Sequence, residues 1–230
     1  MSEFINTIEV LGDEATMDAI IERTITEFRD DMLTSVGAYA FYGCAALETA
    51  DLPNVATINR EAFRGCSALE NFNFSNVTTI GHYAFDVTKF TSLYLPKCTS
   101  VGESAFASCT SLRKVTKLAG SIGKLEYDYC TSLEILDVHQ ATAIDWNVNR
   151  ANKKFKALVI RTPSVCSAAS SDILGNGCFT SGTAYAYVPA TLVDSYKAAT
   201  NWSAISSQIR ALEEYTVDGT LTGELDESKI

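Results

Sequence analysis

The sequence of 230 residues has few of the side chains on which most catalytic and metal sites depend. It contains two histidines, and none of its seven cysteines lies two to four residues from another. Structural zinc sites use cysteine pairs at that short spacing, so no zinc site is predicted. His82 and His139 are the candidate bases near neutral pH, and neither belongs to a recognised catalytic motif. The sequence therefore predicts no enzyme, no catalytic residue, no metal site and no cofactor.

Long apolar runs and an excess of basic charge are also missing. No stretch approaches the roughly 20 apolar residues that cross a bilayer, so no membrane insertion is predicted. The net charge is −10, and the acidic residues concentrate in 1–34 and 211–230. The centre has only scattered basic residues, which predicts no nucleic-acid partner. Residues 1–20 show no basic segment followed by an apolar one, so we expect no signal peptide and a location in the cytoplasm or in an assembled particle.

A repeat of 21 or 22 residues organises the chain. An aliphatic residue marks each unit, at Val36, Ile58, Ile80, Val101, Ile122, Ile144 and Val165. An aromatic residue follows five positions later in five units, at Phe41, Phe63, Phe85, Phe106 and Tyr127. Each unit ends in an alternating apolar pattern that predicts one short strand, such as Leu93 and Leu95. A single unit cannot bury its own Phe and Leu residues, so the units are predicted to stack on each other.

The pattern Ile-Gly-x-x-Ala-Phe-x-x-Cys-x-x-Leu resembles the BspA-like class of bacterial leucine-rich repeats, for example in SVGESAFASCTSLRKV at 100–115. The resemblance covers about residues 24–165. It implies an α/β repeat fold, a right-handed solenoid with a parallel sheet on one face. It also implies an adhesion or protein-binding role, with the cell surface or secretion as the alternative location. The segment AYAYVPATLVDSYKAATNW at 184–202 is similar to the endings of repeat proteins from gut Firmicutes and their prophages, which implies a structural phage component as an alternative.

The predicted organisation has a cap at each end of the repeats. The predicted parts are an N-terminal cap (1–34), leucine-rich repeats (35–189), a C-terminal helical cap (190–214) and an acidic tail (215–230). The N-terminal cap is predicted to contain a helix at 14–23 and a first strand at 25–28. The irregular seventh unit, which begins at Val165, predicts an insertion at 167–182.

Two further features of the repeat lead to predictions about the core. Cysteines recur in phase at Cys44, Cys66, Cys109 and Cys130. Because each lies among Phe and Leu residues, we expect reduced, buried side chains rather than disulfides. Lys117 falls at an inward strand position in a unit that is one residue short. We expect a local slip there that turns Leu118 inward in its place.

The candidate functional surface is the outward face of the predicted sheet. Its outward positions are polar in the first units and become apolar and aromatic in the last ones. A contiguous apolar patch with tyrosines is typical of an interaction surface. The hypothesis is a binding surface for a protein, including a second copy, formed by Tyr94, Ile135, Val159, Tyr185 and Tyr187. Two alternatives stay open. The insertion or the C-terminal tail covers this patch and makes it core, or Tyr185 and Tyr187 stack on carbohydrate.

Overall fold

The computed structural model describes residues 25–145, 148, 152–170, 178–179 and 181–212, with the backbone of 216–217 and 220–221. Two rows of short parallel strands stack along one axis in this part of the chain. The predicted helix at 14–23 lies outside the described residues, as do most of the predicted acidic tail and the middle of the predicted insertion.

The first row of strands carries the outward face. In chain order its strands are β1 (Glu27–Arg29), β3 (Thr49–Asp51), β5 (Asn71–Phe72), β7 (Ser92–Leu95), β9 (Lys114–Lys117), β10 (Ile135–Val138), β12 (Ala157–Ile160), β14 (Tyr185–Pro189) and β15 (Ile209–Leu212). Each pairs in parallel with the next, except that no ladder joins β5 to β7. We call the strands of this row, together, the first sheet.

The second row adds a strand to most turns. Its members are β2 (Ser35–Val36), β4 (Thr57–Ile58), β6 (Thr79–Ile80), β8 (Ser100–Val101), β11 (Ala143–Ile144) and β13 (Ser167–Ala168). The sequence predicts one strand in each repeat, whereas these turns have two. In five of these six strands, all except β13, the recurring aliphatic residue is the second residue, and it keeps the backbone extended just long enough to pair with the neighbouring turn.

A column of aromatic rings forms the centre of the stack. The rings of Phe41, Phe63, Phe85, Phe106 and Tyr127 lie one above another, with successive centroids 4.9, 5.1, 5.4 and 5.8 Å apart. All five side chains are fully buried. Burial of one such side chain stabilises a fold by roughly 1.5–3 kcal/mol, and here every ring depends on its neighbours for that burial. The repeat pattern therefore encodes one continuous core.

Two residues with left-handed backbone let each turn pass around this column. One lies two positions before the aromatic residue and the other two positions after it. The second position is Gly43 (φ 71°) and Gly65 (φ 76°) in the first turns, but Val87 (φ 63°) in the third. Glycine adopts this conformation without strain, whereas a β-branched residue does not. Val87 is therefore a strained position that its neighbours in the stack hold in place.

The backbones of adjacent turns also approach closely beside the second row. A Cβ atom added to Gly81 would lie 2.6 Å from the backbone nitrogen of Arg60, and one added to Gly102 would lie 2.5 Å from that of His82. These distances are well inside van der Waals contact, so a side chain cannot fit at either position. The glycine that follows the aliphatic residue thus sets the spacing between these turns.

The expected slip at Lys117 is wrong. Lys117 pairs in register with Leu95 and is buried, whereas Leu118 is half-buried. The buried ammonium group is stabilised by Glu126, whose carboxylate is also buried and lies 3.2 Å from the Lys117 Nζ atom. Glu126 occupies the position that is Ala40 or Ala62 in earlier turns. Two departures from the repeat therefore compensate each other as an ion pair.

The remaining polar atoms of this ion pair are satisfied by its own turn. Nζ of Lys117 donates to the Ser121 carbonyl at 2.6 Å. The carboxylate of Glu126 accepts from the Tyr127 hydroxyl at 2.7 Å and from the Gly123 amide at 2.8 Å. Tyr127 replaces the usual Phe, and its hydroxyl supplies one of these donors. A buried ion pair persists only with such additional hydrogen bonds.

The seventh unit does not begin at Val165, as the repeat spacing predicts. Ile144 pairs with Ala168, three residues later, because extra residues around Pro163 precede the strand. Ser167 and Ala168 lie in β13, although the predicted insertion begins at 167. The insertion that follows falls largely outside the described residues.

The C-terminal segment is only partly helical. It contains a 3₁₀ turn (Ala190–Leu192), the helix α1 (Val193–Ala198) and a 3₁₀ segment (Trp202–Gln208), and then returns to the sheet as β15. The prediction of a helical cap over all of 190–214 is therefore wrong at its end. Trp202 Nε1 donates to the Cys166 carbonyl at 2.7 Å, and Asn201 Nδ2 donates to that of Ala168 at 2.8 Å. These bonds satisfy the open edge of the second row. No helix in the described residues is long and apolar enough to cross a membrane.

Candidate binding face on the first sheet

The five predicted binding residues all lie at outward positions of the first sheet, but their exposure differs. Tyr94 on β7 is 58% exposed. Tyr185 and Tyr187 on β14 are half-buried. Ile135 on β10 and Val159 on β12 are buried, at 8% and 0%. The prediction that Ile135 and Val159 contribute to an exposed surface is therefore wrong.

Residues of the C-terminal segment lie over this part of the face. Ile135, Ala157, Val159 and Leu212 form a second, small apolar cluster, against which Tyr187 packs. The guanidinium carbon of Arg210 lies 4.6 Å from the centre of the Tyr185 ring. The ring of Tyr185 is thus already in contact with a cation, which argues against it as a stacking platform for sugars. We call the outward positions of β10, β12 and β14 the covered half of the face.

A charged cluster occupies the polar edge of the covered half. Arg161 forms two hydrogen bonds with the Asp137 carboxylate, at 2.9 and 3.0 Å. His139 Nε2 lies 3.5 Å from the same carboxylate. Burial lowers the pKa of His139, and Asp137 opposes that effect only in part. The Arg161–Asp137 ion pair links two adjacent turns of the stack, with the neutral imidazole of His139 beside it. Because Arg161 occupies both carboxylate oxygens, Asp137 is not available for a proton relay through His139.

The outward positions of β1, β3, β5, β7 and β9 form the open half of the face. A shallow cavity of about 370 Å³ lies between β3 and β5. Its polar lining consists of Thr49, Asp51, Glu70, Asn71 and Asn73. Tyr94 projects from the next turn, and Thr116 is its partner on β9. Sequence reasoning placed these polar residues on the outward face but favoured the apolar end, because burial by the C-terminal segment has no signature in the repeat.

Both carboxylates of this cavity are paired with a cation. Arg29 Nε lies 3.5 Å from Asp51, and Lys89 Nζ lies 3.0 Å from Glu70. These pairs are exposed, and pairs of this kind contribute about 0–1 kcal/mol to stability. Their consequence here is electrostatic, since the cavity carries little net charge.

A second cavity lies along the second row of strands. It has a volume of about 490 Å³, and hydroxyl groups of Ser100, Ser121 and Ser167 belong to its lining. The hydroxyl group of Ser121 already bonds to that of Thr142 at 3.2 Å and accepts from the Ala143 amide. The Ser167 hydroxyl also donates to the Thr142 carbonyl. Because two of the three hydroxyl groups are used within the stack, this cavity is a weaker candidate than the open half.

The seven cysteines are all free and buried, as the repeat pattern predicts for the four in phase. The thiols of Cys66, Cys109 and Cys130 donate to the carbonyl group of the aromatic residue in the preceding turn, at 3.0, 3.3 and 3.0 Å. Burial raises the pKa of Cys98 to about 11 and that of Cys166 to about 12. Among the described residues, no group of three His, Cys, Asp or Glu side chains is placed to hold a metal ion.

A model of the BspA-type leucine-rich repeat region matches residues 34–156 of the chain in six copies. The chain belongs to the BspA-type leucine-rich repeat family. The match covers more than half of the sequence and includes the aromatic column from Phe41 to Tyr127. No curated protein matches the chain in sequence.

Solved structures of other bacterial leucine-rich repeat proteins share the fold. One from Bacteroides ovatus is 23% identical over 61% of this chain and 42% of its own, with a TM-score of 0.46. The pneumococcal vaccine antigen PcpA is 12% identical over 82% of this chain and 40% of its own, with a TM-score of 0.51. The T. pallidum leucine-rich repeat protein is 20% identical over 63% of this chain and 74% of its own, with a TM-score of 0.50. The chain thus spans about two fifths of the first two proteins. The likeness to PcpA and to the T. pallidum protein confirms the predicted solenoid fold.

Proposed function

We propose that this BspA-type protein is a non-catalytic binding module of the adhesion type, and that it binds its partner through the open half of the first sheet. The observation that carries the proposal is the exposure of Tyr94, at 58%. The flanking residues Leu93 and Leu95 are buried at 3% and 0%, and β7 is bonded to β9 along its length. A large aromatic side chain on a rigid strand loses little conformational entropy on binding, and tyrosine is enriched at binding hot spots.

Membership of the family supports a binding role over a catalytic one. One protein with the same fold is a vaccine antigen, which supports display at a surface. We therefore propose that the chain acts at the cell surface or in an assembled particle. Fractionation of the producing cells, with an antibody against the protein, tests this location. Recovery only as free, unassembled protein in the soluble cytoplasmic fraction would contradict it.

The binding face is tested by photo-crosslinking from a single position. A benzoylphenylalanine residue replaces Tyr94 in one variant and Tyr129 in a control. Tyr129 is similarly exposed, at 51%, but lies in the turn after the aromatic residue Tyr127 and not in a strand of the first sheet. Each variant is incubated with the cell-surface fraction of the producing bacterium, and with material from the surfaces that this bacterium colonises. A separate sample contains the purified variant alone.

Crosslinks to a surface component from position 94 and not from position 129 are expected. Crosslinks between two copies of the purified protein from position 94 would show self-association, and thus favour a structural component. Equal crosslinking from both positions, or none from position 94, would refute the proposed face.

A further inference from the structure

We infer that the ligand of the open half is a neutral glycan chain, which stacks on Tyr94 and forms hydrogen bonds in the cavity between β3 and β5. This inference rests on the proposed function, because it names the class of partner for the same face. Three observations carry it: the chemistry of the cavity lining, its charge balance and the isolation of its one exposed aromatic ring.

The cavity combines groups that suit hydroxyl ligands. A sugar hydroxyl both donates and accepts hydrogen bonds, and an amide side chain does the same with a fixed planar geometry. Asn71 and Asn73 supply two such amides, and Thr49 supplies a hydroxyl group. Oδ1 of Asn73 accepts from the Ser75 amide at 3.0 Å, which holds this side chain in position and makes its NH₂ group the donor that it offers.

Charge balance selects for a neutral ligand. Asp51 and Glu70 each have a cation within 3.5 Å, on Arg29 and Lys89. Their oxygens remain hydrogen-bond acceptors. The other charged outward residues of the open half, Glu27, Arg29 and Lys114, carry both signs, so neither a cationic peptide nor an acidic polymer would gain much net attraction. A neutral chain rich in hydroxyl groups meets neither penalty.

The single exposed ring fits a sugar better than a protein. A protein–protein interface buries about 800 Å² on each partner. Its core is depleted of charge and contains several apolar anchors. Among the described residues of the open half, Tyr94 is the one exposed aromatic side chain, and its neighbours are polar or charged, such as Asn71, Ser92 and Lys114. A pyranose presents C–H groups on one face and hydroxyl groups at its edge, so it can stack on an isolated tyrosine while its edge binds polar groups. Paired strands repeat at about 4.8 Å, and across the unpaired step from β5 to β7 the core rings of Phe63 and Phe85 are 5.1 Å apart, so an extended chain meets successive positions along the stack.

The test measures binding of the full chain to a glycan array and, for hits, by isothermal titration calorimetry. The probes are neutral hexasaccharides of glucose, xylose and mannose, with hyaluronan as an acidic comparison. The variants are Tyr94→Ala, Asn71→Ala and the matched control Tyr129→Ala, whose folding is checked by circular dichroism. We expect at least one neutral hexasaccharide to bind with little dependence on salt. The Tyr94→Ala change is expected to weaken binding roughly tenfold, the Asn71→Ala change several-fold, and the Tyr129→Ala change not at all.

Failure of this inference can be told apart from failure of the proposed function. Absence of neutral-glycan binding, equal affinity of the Tyr94→Ala variant, or salt-sensitive binding of hyaluronan alone would overturn the glycan ligand. If position 94 still crosslinks to a surface protein, the binding face stands and the partner is a protein. If neither assay detects a partner at position 94, both proposals fall.

Discussion

Removal of one partner of the buried Lys117–Glu126 ion pair should destabilise this protein far more than removal of the whole network. In the variant Lys117→Met, the Glu126 carboxylate stays fully buried and loses the ammonium group that lies 3.2 Å away in the wild type. The Tyr127 and Gly123 donors do not replace that charge. An unpaired buried charge of this kind costs about 3–5 kcal/mol. That is a large fraction of the roughly 5–15 kcal/mol that stabilises most domains.

The triple variant Lys117→Leu, Glu126→Ala, Tyr127→Phe restores the residue types that earlier turns have at these positions. It removes both charges together with the hydroxyl group that would otherwise lose its acceptor. Replacement of a buried ion pair by packed apolar residues is often neutral or stabilising. We therefore expect the triple variant to lie within about 2 kcal/mol of the wild type, and well above Lys117→Met.

Guanidinium unfolding followed by circular dichroism provides the measurement. The midpoint and the slope are compared for the wild type, Lys117→Met, Glu126→Gln and the triple variant. Glu126→Gln keeps the side-chain shape, but it removes the charge and replaces one accepting oxygen with an NH₂ donor that faces the Tyr127 or Gly123 donor, so it should also be destabilised. The reasoning is refuted if Lys117→Met costs less than about 1 kcal/mol, or if the triple variant is as unstable as Lys117→Met.

Three further predictions concern the backbone and the thiols. Gly102→Ala should lower the free energy of unfolding by about 1–3 kcal/mol, because the added Cβ would lie 2.5 Å from the His82 nitrogen. In the control Gly123→Ala, the added Cβ meets nothing closer than 3.5 Å. Equal shifts in melting temperature for the two variants would contradict the close approach at Gly102. Val87→Gly should raise the free energy of unfolding by about 0.5–1 kcal/mol, since the left-handed backbone strain of valine, about 1–2 kcal/mol, exceeds the entropy cost of glycine. A lower midpoint of urea unfolding would show that Val87 is not strained. Burial raises the pKa of the Cys98 thiol to about 11. The buried, protonated thiol therefore contributes fully to stability below about pH 8.5, the pKa of cysteine in the unfolded chain, and this contribution is lost as the pH rises toward 11. Cys98→Ala should therefore reduce the loss of stability over that pH range, and an unchanged pH profile would count against a buried thiol.

The sequence predicts the regular part of this fold because each repeat carries its own local pattern. The spacing of Phe41 and its equivalents identifies the central column, and the alternation in the strands separates inward from outward residues. These features need no knowledge of distant contacts, since every turn packs only on its neighbours. The same reasoning placed Tyr94, Ile135 and Val159 at outward positions, as the structure has them.

What the sequence could not predict depends on compensation between distant residues. The inward position of Lys117 looks unfavourable until Glu126 is recognised as a second departure, in a position that otherwise holds alanine. Burial of Ile135 and Val159 involves Leu212, which lies more than fifty residues later in the chain. Cover by a terminal segment was one of the alternatives left open by the sequence, but a repeat pattern contains no information that decides how a non-repeating terminus packs. For this reason the sequence pattern places the candidate binding face at the apolar end of the sheet, whereas the structure favours the polar end.

Hydroxyl-radical footprinting of the full chain tests most directly whether the outward face has an open and a covered half. The rate of side-chain oxidation is measured by mass spectrometry at Tyr94, Ile135 and Val159. With Tyr94 58% exposed and the other two at 8% and 0%, rapid oxidation of Tyr94 and strong protection of Ile135 and Val159 are expected, after correction for intrinsic reactivity. Oxidation of Ile135 and Val159 at the rate of exposed residues, or protection of Tyr94, would contradict the division of the face on which the proposed function rests.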